Sequence, residues 1–255
     1  MLPAAFLSAP IAHRGLHDAQ RDRVENSASA ALAAIDGGYG IELDLQLSAD
    51  SQAVVFHDYS LKRLTGRDGT VQTTHSKELR ACFLAGSDDT ILTLPEFLEL
   101  VAGRVPLLIE LKDQDGAMGP NVGPLETATA HALRSYTGPA ALMSFNPHSM
   151  AKMAELAPDI PRGLITKCWT DLHSGLIPRP RRDTLVAISD FDRVGASFIS
   201  HLATDLNRPR VAELKNSGAS ILSWTVTTPE EEAEARRVAD NITFEGYVPQ
   251  ISIAA

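Results

Sequence analysis

The sequence predicts a (β/α)₈ TIM barrel, an α/β fold. Two observations carry this expectation. Short apolar or β-branched runs alternate with Ala- and Leu-rich helical patterns, and eight such runs can be counted. The chain has 255 residues, close to the usual size of such a barrel. An open doubly wound sheet is the competing architecture, since the same alternation permits it. No internal repeat, low-complexity tract or long linker divides the chain, so 1–255 reads as a single domain with one insertion at about 59–90.

The elements follow in order. Residues 10–13 are the first run. Residues 26–36 read as a helix: Ala28, Leu32 and Ile35 share a face, and Gly37-Gly38 stops it. Residues 40–47 are the second strand. Residues 52–58 come after only Ala49-Asp50-Ser51. That gap is too short for a parallel crossover, so they must return as an antiparallel hairpin. The polar, Gly- and Thr-bearing stretch 59–90 is then an insertion, expected as a lid or small subdomain over the barrel mouth. The other strands are 106–111, 140–145, 163–166, 196–200, 220–226 and 242–245. Helical patterns cover 94–101, 125–135, 147–156, 208–216 and 229–239. Pro95 suits a first turn, and Glu230, Glu231 and Glu232 suit a helix dipole. Residues 169–192, interrupted by prolines and basic residues around 178–182, carry no clear pattern.

Composition narrows the partners. Lys and Arg number 23 against 32 Asp and Glu, a formal net charge of −9. Nucleic acid and anionic lipid surfaces demand a basic face, so neither is expected as a partner, nor is stable membrane association. A small anionic substrate remains compatible, because a site can differ in charge from the whole. Cys82 and Cys168 are too few for a disulfide framework. No apolar run reaches the ~18 residues of a membrane span. The first eleven residues lack the basic start of a signal peptide, and a cytoplasmic protein is expected.

The chemistry gathers on strand ends. Period-2 alternation in 40–47 puts Glu42, Asp44 and Gln46 on one face and Ile41, Leu43, Leu45 and Leu47 on the other. In a barrel the apolar face meets the helices, so the acids point inward. Buried carboxylates need partners: either ion pairs, with Arg14 and Lys112 as candidates, or a metal. Glu110 and Lys112 repeat the pattern on the third barrel strand. Oxygen ligands from Glu42, Asp44 and Glu110 suit one hard divalent cation, Mg²⁺ or Ca²⁺, better than zinc. With the hairpin tip at Asp50-Ser51, Asp44 faces roughly His57, while His13-Arg14-Gly15 ends the first strand at the mouth. The other histidines, 17, 75, 131, 148, 173 and 201, read as surface or satisfied core groups. Asn26 reads first as a helix cap.

His13-Arg14-Gly15, Glu25-Asn26, Glu42-x-Asp44, His57-Asp58 and Glu110-x-Lys112, in this order, resemble the glycerophosphodiester phosphodiesterase family. Ser144-Phe145 and Trp224-Thr225-Val226 look like its weaker later motifs, so the resemblance covers nearly the whole chain. The end departs from it. Where the family often has a Gly-Val-Asp-Gly-Ile-Thr-Asp-like stretch, this chain has Asn241-Ile242-Thr243-Phe244-Glu245. The resemblance implies hydrolysis of a glycerophosphodiester to glycerol 3-phosphate and an alcohol, with a place in lipid and glycerol metabolism. It implies a metal on Glu42, Asp44 and Glu110, and His13 and His57 as the catalytic acid–base pair, here taken as base and acid respectively. Arg14 and Lys112 would bind the phosphoryl oxygens. Trp224 would stack on the glycerol or alcohol, or else belong to the core, and Phe145 divides the same way. The insertion 59–90 is expected to set the alcohol preference. Three carboxylates against Arg14 and Lys112 leave this set at −1 with neutral imidazoles; one divalent cation brings it to +1. Two other readings stand beside hydrolysis. One is a phosphodiester lyase, like the sphingomyelinase D and phospholipase C barrels, releasing a cyclic phosphate. The other is a non-catalytic barrel binding a phosphorylated ligand.

Overall fold

Eight parallel strands close on themselves in the computed structural model, which describes residues 1–170 and 175–251. Residues 171–174, His173 among them, and 252–255 lie outside the described residues. The strands are β1 (Ile11–Ala12), β2 (Gly40–Leu47), β3 (Ala53–Val55), β4 (Leu107–Leu111), β5 (Ala140–Ser144), β6 (Arg162–Thr166), β7 (Phe198–Leu202), β8 (Ser220–Val226) and β9 (Asn241–Phe244). Their spatial order is β1-β9-β8-β7-β6-β5-β4-β2, and a parallel β1–β2 pairing completes the ring. β3 hangs from β2 as the antiparallel hairpin return. Because β1 is hydrogen-bonded on both sides, the open-sheet alternative is excluded.

Helices Ala28–Asp36, Leu94–Val101, Pro124–Leu133, Pro147–Leu156, Arg179–Val186, Pro209–Asn216 and Pro229–Ala235 lie between the parallel strands. In the stretch without a clear pattern, the apparent breakers start a helix: Pro178 caps Arg179–Val186 and Pro180 lies in its first turn. A first-turn proline loses no helical hydrogen bond, so it opens the helix rather than ending it.

Alternation along the strands sorts the side chains. Ile41, Leu43, Leu45, Leu107, Ile109 and Leu111 face the helices in the outer core. Leu108, Met143, Ile165, Phe198 and Leu222 fill the barrel interior with Leu2 and Phe6. Phe6, from the short helix Ala5–Ser8, is fully buried, and Asn241 Nδ2 holds this segment by donating to Phe6 O (2.8 Å) and Ala9 O (2.7 Å). The interior is thereby packed at the end opposite the strand C-termini. Gly163 leaves the room this needs: a Cβ there would lie 2.4 Å from the Phe198 ring.

The stretch 59–90 builds a small core of its own, in which Leu61, Leu64, Val71, Leu79 and Leu84 pack on Val54 and Phe56 of the hairpin. Tyr59 Oη donates to Asp113 O at 2.7 Å, and Ser29 Oγ donates to Asp89 at 2.5 Å, tying it to the barrel at two places.

Candidate active site

Strand register assembles the acids. Asp44 on β2 stands beside Glu110 on β4, and Glu42 stands one inward step below, beside Leu108. Glu42 and Asp44 are each 1% exposed and Glu110 is 7% exposed. One carboxylate oxygen from each of the three lies within 4.8 Å of the others. The ion pairs weighed from sequence are also present. Lys112 Nζ is 3.0 Å from Asp44 Oδ1 and 3.0 Å from Glu110 Oε1. The Arg14 amide donates to Glu42 Oε2 at 3.0 Å, and Arg14 Nε is 3.4 Å from Asp44 Oδ2.

These cations do not balance the cluster evenly. Burial pushes Asp44 up, but Lys112, His57, Arg14 and His13 override it and hold Asp44 well below the usual carboxylate range. Burial raises Glu110 against the pull of Lys112. Burial, together with Asp44 and Glu110, drives Glu42 well above its ordinary value. A carboxylate forced towards its neutral form beside two others marks a site short of positive charge. The donors are all oxygen, which suits a hard divalent cation, so the residues fit such an ion.

Both predicted histidines reach this cluster, each with its Nδ1 on a carboxylate. His13 follows β1; its amide donates to Phe244 O (2.9 Å). Its Nδ1 is 2.6 Å from Glu245 Oε2, while its Nε2 is 3.9 Å from Glu42 Oε2. The next two residues turn sharply, at φ +56° for Arg14 and +79° for Gly15. A Cβ on Gly15 would meet the Ala30 carbonyl carbon at 2.9 Å, so glycine is required there. His57 is displaced by one residue from its expected pairing: Phe56 N donates to Asp44 O at 3.0 Å. The cause is the turn. Ser48 N donates to Gln52 O (3.0 Å), and Ser51 takes φ +59°, which sets the register. His57 is thus freed from the ladder just past the pair. Gln46 Nε2 donates to its carbonyl (3.0 Å), and Asp58 Oδ1 lies 2.7 Å from its Nδ1. Burial, with Lys112 and Arg14, lowers the His57 pKa against the opposing pull of Asp44 and Asp58.

The groups meet in a cavity of about 260 Å³. His13, Arg14, Glu42, His57, Glu110, Lys112 and Glu245 form its polar side; Met143, Phe145, Ile165 and Trp224 form its apolar side. Trp224 is pinned by a 2.9 Å bond from Nε1 to Ser200 O, and Phe145 meets its ring edge-on with centroids 5.4 Å apart. Both rings therefore serve packing and lining together. No residue of 59–90 lines the cavity among the described residues, so the expected direct role of the insertion in alcohol preference has no contact behind it.

Three residues carry more than sequence reasoning gave them. Asn26 is not the cap: Ser27 Oγ accepts from Ala30 N (3.1 Å). Instead Asn26 Nδ2 donates to Asp44 Oδ2 (2.8 Å), and its Oδ1 accepts from Asp44 N (3.2 Å). Two cap-competent residues in succession were the available signal. Glu245, noted only as a departure, is the partner of His13. Glu25 accepts from Arg14 Nη1 at 2.6 Å. By contrast His201, read as a bland histidine, is one: it is fully buried and satisfied by Thr166 Oγ1 at 2.7 Å and Asp205 O at 3.1 Å.

Comparison with known proteins places this arrangement. Residues 13–241 match the Glycerophosphoryl diester phosphodiesterase family. YhdW of Bacillus subtilis (strain 168) is 30% identical over 234 residues, covering 88% of each chain. A glycerophosphodiester phosphodiesterase of Caldanaerobacter subterraneus subsp. tengcongensis is 28% identical over 231 residues, 87% of this chain and 86% of that one. An Oleispira antarctica phosphodiesterase, solved with the product sn-glycerol-3-phosphate, superposes with a TM-score of 0.78 at 22% identity, covering 96% of this chain and 95% of the other. That likeness speaks for the fold.

Proposed function

The chain belongs to the glycerophosphoryl diester phosphodiesterase family, and from that premise we propose that it hydrolyses glycerophosphodiesters to glycerol 3-phosphate and an alcohol by two-histidine acid–base catalysis beside a divalent cation. Its class is that of a phosphoric diester hydrolase. The observation that supports the reading best is a cluster of three inward carboxylates, of which Glu42 and Glu110 line the cavity, meeting two imidazoles there, each imidazole oriented by its own carboxylate.

Glu42, Asp44 and Glu110 would hold the cation, Mg²⁺ or Ca²⁺. When bound, it polarises a phosphoryl oxygen and neutralises charge that grows in the transition state. Arg14 and Lys112 offer further positive charge to the diester, Arg14 as a planar fork and Lys112 as a point charge. The apolar side, with Trp224 and Phe145, receives the less polar part of the substrate.

The environment of His57 supports taking the proton transfers in the order opposite to the sequence-based expectation. His57 is biased towards its neutral ring, and Asp58 on Nδ1 leaves Nε2 as the proton acceptor, so His57 is the base that deprotonates the nucleophile. His13, held through Nδ1 by Glu245 at 2.6 Å with its Nε2 on the Glu42 side, takes the complementary role of the acid that protonates the departing alkoxide. The P–O bond to the alcohol breaks as the new P–O bond forms, and the phosphate stays on glycerol.

The test is a coupled glycerol 3-phosphate assay on glycerophosphocholine, -ethanolamine and -inositol and on bis-glycerophosphate, with EDTA and with each metal. Release that requires a cation, and that falls by ~10²-fold or more in His13→Ala and in His57→Ala, supports the reading. No release from any diester, or full activity in the double variant, refutes it.

A further inference from the structure

We propose that Arg63, carried on the insertion 59–90, is a positioning residue that braces the His57 ring and the Arg14 guanidinium through a single clamp. The inference rests on the phosphodiesterase reading above and concerns a residue that does not line the cavity.

The geometry is that of a double fork. Arg63 Nε and Nη2 meet Asp58 Oδ2 and Oδ1 at 2.7 and 2.8 Å. Arg63 Nη1 and Nη2 meet Glu25 Oε2 and Oε1 at 2.7 and 2.9 Å. Each carboxylate then holds one active-site cation or ring. Asp58 Oδ1 lies 2.7 Å from His57 Nδ1, and Glu25 Oε1 accepts from Arg14 Nη1 at 2.6 Å. The chain His57–Asp58–Arg63–Glu25–Arg14 therefore runs outside the cavity and returns to it, and Arg14 continues it to Asp44.

Several physical consequences follow. Glu25 and Asp58 are both anions gripping the same group, so without Arg63 they would repel, and Asp58 could leave His57 Nδ1. The Asp58 carboxyl is held down to about 2, first by its bond to Arg63, which matches a carboxylate that stays charged and fixed. A planar fork can bridge two carboxylates bidentately; a lysine ammonium cannot. The Arg63 side chain is 48% exposed, and ion pairs that open contribute little to stability. Its removal should therefore tell on catalysis more than on folding. The clamp is delivered by the short helix Lys62–Thr65, whose neighbours Leu61 and Leu64 pack with Val54 and Phe56 of the hairpin. The insertion thereby acts on the site as a brace, at one remove from the substrate.

The experiment compares Arg63→Gln, Arg63→Lys and Asp58→Asn in the full chain with glycerophosphocholine and saturating Mg²⁺ or Ca²⁺. Arg63→Gln should lower kcat by about 10-fold or more and raise KM by less than about threefold. Arg63→Lys should lie between it and wild type. Adding Arg63→Gln to Asp58→Asn should cost less than Arg63→Gln costs alone, because part of the effect of Arg63 passes through Asp58. Methylguanidinium, which can enter this half-exposed position, should restore part of the Arg63→Gln rate where equal sodium chloride does not. A kcat in Arg63→Gln within about twofold of wild type overturns the proposal, as do multiplying losses in the double variant. Should Arg63→Gln not fold, Arg63→Lys decides: wild-type kcat there overturns the brace, and a kcat loss with retained melting temperature supports it. An active wild type with indifferent Arg63 variants refutes the brace alone; a wild type without phosphodiesterase activity refutes the reading beneath it.

Discussion

Replacing Glu245 by Gln should lower kcat about 10- to 100-fold while leaving the barrel folded. The perturbation keeps size and removes one charge. Glu245 is held well below the usual carboxylate range by hydrogen bonds from His13 and His17, so it is an anion throughout the working pH. Its Oε2 lies 2.6 Å from His13 Nδ1, and the side chain is 34% exposed. A hydrogen bond to a charged partner is worth roughly 1.5–3 kcal/mol, which is about 10- to 100-fold in rate if it is lost in the transition state. Glutamine withdraws the charged partner and can turn either its carbonyl or its amide towards Nδ1, so the ring is no longer fixed in one orientation. His13 as an acid then loses its orientation. The assay is the initial rate of glycerol 3-phosphate release from glycerophosphocholine between pH 5 and 9 at saturating metal. The loss should appear in kcat across this range. A kcat for the variant within about twofold of wild type at every pH would refute the Glu245–His13 argument.

The acid limb tests His57. Its pKa is lowered by burial and by Lys112, so the neutral ring persists below the ordinary imidazole value; activity should hold as pH falls to that value and decline only beneath it. A kcat/KM that already halves well above the ordinary imidazole pKa would contradict a base role. Glu42→Gln should weaken Mg²⁺ or Ca²⁺ binding in calorimetric titration, and an unchanged isotherm would remove Glu42 from the ligand set. Phe6→Ala should cost about 3–5 kcal/mol in urea unfolding, because a fully buried ring inside the barrel leaves a cavity. Stability unchanged in that variant would show that the segment does not pack the interior.

Much of the site was legible because period 2 is a strong constraint. Glu42, Asp44 and Glu110 on otherwise apolar runs can face only the barrel interior, and the strand ends carrying His13 and Lys112 can lie only at the mouth. The hairpin could be deduced from three intervening residues, yet its register came out one residue from the expected pairing, since Ser51 adopts a left-handed conformation that no spacing rule revealed. Asn26 and Ser27 compete for one cap, and the winner depends on where Asp44 arrives from another strand.

The sequence by itself determined the fold, the family and the inward face of each strand, because local periodicity and ordered motifs encode these without reference to distant contacts. Tertiary structure alone decided the partners. It brought Glu245 to His13 across 232 positions and Glu25 to Arg63 across 38. It also set the bias of His57 towards a neutral ring, through burial and the nearby Lys112. The physical reason is that a proton's residence follows the local field, and that field is summed over charges the chain assembles only when the barrel closes.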